Sequence, residues 1–133
     1  MTKYKFSYKD ANRFTKHGIN LAVYGENTPA ANLVYVEVEV GHLEEFYDDE
    51  STYMYLIFEG SGTFILNDEK VEAKAKDLIV IPPKTKIHYF GTMKMALCVT
   101  PAFDEKREHH VRMVDISESP YNKSDSSSGR ADT

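Results

Sequence analysis

The valines set the first pattern. Val34, Val36, Val38 and Val40 alternate with Tyr35, Glu37 and Glu39. A period of two gives an extended strand with one apolar and one polar face. Gly41 ends or bends that strand, and a polar, acidic stretch from Glu44 to Thr52 follows. Tyr53 to Phe58 predicts a second strand, rich in aromatic and aliphatic residues. Gly60-Ser61-Gly62 breaks it and Thr63 to Leu66 resumes. Asn67-Asp68-Glu69 predicts a hairpin turn, with Val71 to Ala75 as the return strand. Leu78-Ile79-Val80-Ile81 is a short apolar run that fits a buried strand, stopped by Pro82-Pro83. Ile87 to Phe90 and Met95 to Thr100 give two further strands, separated by Gly91-Thr92.

The two ends differ from this middle. Residues 1–30 are mixed; Tyr8 to Phe14 predicts a short turn or helical piece, and Gly25, Asn27, Thr28 and Pro29 mark a loop. The charged run 104–112 predicts a short helix. Residues 122–133 are too polar to bury anything and are expected to form a disordered tail. Many short strands with frequent turns, and no alternation with helices, predict an all-β antiparallel barrel or sandwich. One domain is expected over residues 1–121, with a short N-terminal extension.

Composition narrows the function class. A chain of 133 residues suits one domain with one core. Nine Tyr and seven Phe, with no Trp, favour pleated sheet. The net charge of -5 argues against a phosphate backbone as partner, which needs a clustered basic face, so no nucleic acid is expected. The single cysteine, Cys98, forms no intrachain disulfide, and among Met95, Leu97 and Val99 it reads as a small hydrophobe. No apolar signal core and no membrane-length run occur. A cytoplasmic protein without a membrane partner is the expectation.

Two frames in the middle of the chain resemble those of the cupin family, whose fold is a small antiparallel jelly-roll barrel. The family's first signature sets a glycine, two histidines, a glutamate and a second glycine at fixed spacing. Gly41, Tyr47, Asp49, Tyr53 and Gly60 occupy those places here. Its second signature sets glycine, proline, glycine, histidine and asparagine, and Lys76, Pro82, Lys84, Ile87 and Gly91 fall on them. In the family, three histidines and a glutamate hold a divalent metal. Tyr47, Asp49, Tyr53 and Ile87 offer one carboxylate and two phenols in their place, a poor donor set for a transition metal. No metal and no cofactor is therefore expected. His88, one residue past the histidine place, faces away from Ile87 in a regular strand. A bulge would turn it inward, giving a displaced metal site with Asp49, Glu50 or His42 as an alternative.

The resemblance also implies an interior. On the barrel frame Tyr47, Asp49, Tyr53, Tyr55, Ile87 and Tyr89 share the inward parity. That lining of phenol rings with one carboxylate suits a small organic ligand, such as a sugar, a nucleotide sugar or an aromatic metabolite. The plainer reading is that the tyrosines only fill a core. His42 and His88 are the candidate bases, because a histidine beside carboxylates moves protons near neutral pH. An isomerase or epimerase acting on a sugar or keto substrate, with Tyr47 or Tyr53 as proton donor, is the second functional reading. His109 and His110 read as solvent-facing. Apolar outer residues Met54, Leu56 and Phe58 predict a homodimer.

Overall fold

The computed structural model describes residues 4–25 and 28–121. The expected tail, 122–133, lies outside them. The described residues form β1 (Asn12–Lys16), β2 (Ile19–Tyr24), β3 (Asn32–Val38), β4 (Gly41–Asp48), β5 (Thr52–Leu66), β6 (Glu69–Lys74), β7 (Leu78–Ile81), β8 (Ile87–Thr100) and β9 (Glu108–Met113). Helical structure among them is confined to two 3-10 turns, Tyr8–Asp10 and Ile116–Glu118. No helix is long and apolar enough to cross a membrane.

All pairings are antiparallel, and β8 is the stave on which the barrel is built. Along one edge it pairs with β5 over nearly its whole length. Its other edge is shared. Met93 to Val99 pair with β3, whereas Ile87, Tyr89 and Phe90 pair with β4. β5 in turn carries β7 against its first half and β6 against its second. A sheet wound this way curls around one core and buries one face of its central strands, whereas β1 and β9 at the two ends of the strand order stay largely exposed.

The alternation predicted for the valine strand is observed. Val34, Val36 and Val38 are buried, while Leu33, Tyr35 and Glu37 are not. Together with Tyr55, Ile57, Phe64, Ile81, Ile87 and Met95 they form the main core. Leu56 and Phe58 lie on the outer surface of β5, 41% and 48% exposed.

Four local expectations are corrected. β5 and β8 do not break at their glycines; they bend there together. Gly60 takes a left-handed φ of 87° and Gly91 a φ of 137°. Gly91 pairs with Gly62, so close that a Cβ on Gly91 would lie 2.5 Å from the Gly62 Cα. Residues 12–24, read as a mixed N-terminal stretch, supply the hairpin β1–β2, turned on His17 and Gly18 in left-handed conformations. The acidic stretch after Gly41 contains most of β4, with Glu44, Glu45 and Asp48 buried. The charged run 104–112 enters β9 instead of a helix, because its side chains find partners on β4 and just beyond it: His109 on Asp49, His110 on Glu44 and Arg112 on Glu45.

Candidate active site

A cavity of about 220 Å³ opens inside the barrel. One wall is apolar, built from inward side chains of β2, β3 and β8 such as Leu21, Val34, Val36 and Leu97. The opposite side carries the chemistry: His42 from β4, Tyr53 and Tyr55 from β5, Tyr89 from β8 and Glu108 from β9, with Lys16 from β1. An apolar cleft with a few convergent polar groups is the usual form of a small-molecule site.

His42 is 4% exposed and sits among rings, its own centroid 5.0 Å from Phe46 and 5.4 Å from Tyr89. Burial lowers its pKa to about 4, overriding the opposing pull of the Glu44 carbonyl and the Glu44 charge. The imidazole is therefore neutral at neutral pH. Its Nδ1 lies 2.8 Å from the Glu44 carbonyl oxygen. A carbonyl only accepts, so Nδ1 carries the proton and the lone pair is on Nε2. The local sequence makes this geometry. His42 pairs with Tyr89 and Phe46 with Ile87, so Leu43, Glu44 and Glu45 oppose His88 alone. That β-bulge brings the Glu44 carbonyl back towards the His42 ring.

The phenols are held as neutral donors. Tyr55 and Tyr89 are buried with ring centroids 5.6 Å apart, and burial pushes both hydroxyls above their ordinary pKa. The Tyr89 hydroxyl is buried without a well-formed hydrogen bond, although that of Tyr55 is near enough to act on its acidity. Such a group costs free energy unless something completes it. Tyr53 leans on Asp48, its hydroxyl 3.4 Å from Oδ2. Glu108 lies in the same cavity, its carboxyl pushed up chiefly by burial and pulled down by Lys16.

Of the residues predicted to line the interior, Tyr53, Tyr55 and Tyr89 do so. Tyr47 stacks instead on His109, ring centroids 4.8 Å apart, and Asp49 bonds His109 at 2.7 Å, neither of them lining the cavity. The reason is parity: β4 turns its even-numbered side chains His42, Phe46 and Asp48 inward, the opposite of what the frame from Gly41 implies. Ile87 packs in the core without reaching the cavity. His88 points away from the barrel interior, as strand alternation requires, and is buried against Glu45 at 3.5 Å. His42, read as a possible base near the end of the valine strand, is deep in the site. Lys16 and Glu108 were not anticipated, since one lies in the mixed N-terminal stretch and the other in the expected helix.

The donors do not fit a metal of the kind cupins hold. Among the described residues no group of three or more His, Cys, Asp or Glu side chains is arranged to bind an ion. Around His42 the ring neighbours are Phe46, Tyr89 and the His17 imidazole, which is spent on Glu44, and the His42 Nδ1 is already engaged.

No protein-family model matches the chain. Over 68 residues, 48% of this chain and 53% of the relative, it is 38% identical to the uncharacterised protein MJ1618 of Methanocaldococcus jannaschii. Among solved structures it resembles Streptomyces PAC13 bound to uridine, at 53% identity and a TM-score of 0.88. That match covers 91% of this chain and 100% of the other. The chain belongs to the cupin family. Pac13 is described as a nucleoside dehydratase with a β-barrel structure. Its uridine complexes include variants Y89F, H42Q and Y55F. This cupin carries Tyr89, His42 and Tyr55 at the same numbers, all three on the cavity wall. KdgF from Halomonas (18% identity, TM-score 0.66, covering 79% of this chain and 99% of the other) shares the fold.

Proposed function

We propose that this cupin is a nucleoside dehydratase that takes a uridine-type nucleoside into the barrel and uses His42 as its base. The observation that carries the reading is the His42 imidazole. It is buried, neutral and fixed in one tautomer, in a cavity it shares with Tyr55 and Tyr89. A general base needs its lone pair free and aimed at the reacting atom, and only Nε2 is free.

The chemistry restricts the substrate. A C–H bond of an unmodified ribose is far too weak an acid for imidazole, so the nucleoside must carry a carbonyl beside the carbon that loses its proton. His42 Nε2 takes that proton. The electron pair forms the new C=C bond as the neighbouring C–O bond breaks, and the departing hydroxyl leaves as water with a proton from Glu108, whose acidity burial weakens. Tyr55 and Tyr89 stay protonated and donate hydrogen bonds to substrate oxygens, stabilising the negative charge that develops. The apolar wall excludes water and receives the base and sugar faces.

Mass spectrometry of the purified protein with carbonyl-bearing uridine derivatives tests this. Loss of one water is expected, and His42→Gln is expected to lower turnover by about a hundredfold or more, as removal of a general base does, while still binding uridine. If uridine fails to perturb the wild-type NMR spectrum and no derivative loses water, the assignment is wrong.

A further inference from the structure

The bulge of β4 has fastenings of its own. Residues lifted off a ladder need new hydrogen-bond partners. The Leu43 N–H donates to the His17 carbonyl at 2.8 Å, and the Leu43 carbonyl accepts from the Val114 N–H at 3.1 Å. The Glu44 carbonyl accepts from His42 Nδ1. Side chains hold the same segment from both sides of the sheet. Glu44 Oε2 accepts from His110 Nδ1 at 2.8 Å, while Oε1 lies 3.3 Å from His17 Nε2. On the outer side Glu45 Oε1 accepts from Arg112 Nε at 3.1 Å, and its Oε2 faces His88.

His17, Glu44 and His110 do not line the cavity, so none of them is placed to touch a ligand there. Yet Glu44 is 9% exposed, a buried carboxylate spent on two imidazoles from opposite neighbours of β4. One imidazole belongs to the β1–β2 turn, which presses against the start of β4 so tightly that a Cβ on Gly18 would meet the Gly41 carbonyl at 2.9 Å. The other belongs to β9, which has its own extra residue, Val111, opposite the bulge.

We propose that Glu44 is a positioning residue for His42: its carboxylate ties the β1–β2 turn to β9 across the bulge and keeps its own carbonyl on His42 Nδ1. The inference rests on the reading of His42 as the base. It is nonetheless tested without turnover. In ¹⁵N-histidine-labelled, ligand-free protein at neutral pH, His42 should show one protonated nitrogen, Nδ1, and one bare nitrogen, Nε2. Glu44→Ala frees the bulge and should average the two shifts towards a tautomer mixture. Glu44→Gln keeps an acceptor for an imidazole and should largely restore the wild-type pattern. With an active wild type, kcat/KM should follow, falling about tenfold in Glu44→Ala, the equivalent of one orienting hydrogen bond. His109→Ala, which acts on the outer face, should leave the His42 signals unmoved.

An unmixed His42 tautomer in folded Glu44→Ala protein overturns the proposal. Should that variant not fold, the double variant His17→Asn, His110→Ala removes both partners of the carboxylate instead. Asparagine tolerates the left-handed backbone at position 17. A single tautomer there overturns the proposal equally, and a mixture supports it. A wild type that dehydrates nothing removes the proposed function, and the nitrogen shifts then decide by themselves whether Glu44 positions His42.

Discussion

At the scale of residues, the site depends on one imidazole held against its own preference for charge. An unfolded chain protonates histidine near pH 6.5, whereas folded His42 does so at about 4. Between those values the unfolded state takes up the proton and the folded state does not, so acid favours unfolding. The His42 contribution is fully present above about pH 6.5, declines as pH falls and bottoms out below about 4. It amounts to about 3 kcal/mol. His88 is also lowered by burial and adds a slope of the same sign. The difference between wild type and His42→Gln therefore isolates the residue. Urea titrations from pH 7.5 to 4 should show wild type losing stability faster than the variant, and parallel curves would contradict the burial argument. The same neutrality predicts that kcat/KM limited by His42 stays flat from neutral pH down to about 5 and drops only as the imidazole itself protonates.

At the scale of elements, the strands that alternate plainly were legible and the devices that bend them were not. Val34, Val36 and Val38 announce β3 because one face meets a core and the other meets water. Gly60 and Gly91 look in sequence like ends of strands, since glycine weakens a strand in general. Only the pairing of β5 with β8 shows that both chains turn at the same point, where two backbones touch and no side chain fits. Gly60→Ala tests that account. The alanine would have to hold φ near 87° with its Cβ driven into the Thr92 carbonyl. A loss of about 2–3 kcal/mol is expected in chemical denaturation, and a change within experimental error would mean the bend is not fixed there. The bulge in β4 was hidden for a related reason. Two extra residues on one strand keep its parity and so reverse no hydrophobic signal, yet they let the Glu44 carbonyl reach the His42 ring.

At the scale of the molecule, the polar wall of the cavity is assembled from distant parts of the sequence, and this is why its charged members escaped a linear reading. Lys16 and Glu108 come from stretches whose local pattern signals neither strand nor site, and the sheet alone brings them to one cavity. Their balance sets what the cavity accepts. Among the described residues Lys16 is the one cation on the lining, set against Glu108, with Asp48 and Glu44 buried close by, in a chain of net charge -5. A neutral nucleoside meets no penalty there, whereas a 5′-phosphate brings two negative charges into a low-dielectric interior beside Asp48 and Glu44. Ligands that bind only the folded state raise its melting temperature by mass action, by about 2.7 kcal/mol at a hundredfold excess over Kd. For a domain of this size that is a shift on the order of 10 °C. Uridine at saturating concentration should produce a shift of that order, and uridine 5′-monophosphate at the same concentration a much smaller one. Lys16→Ala should widen the gap by removing the cation. Equal shifts with nucleoside and nucleotide would show that the acidic side chains do not govern entry and that the barrel does not select for the uncharged sugar.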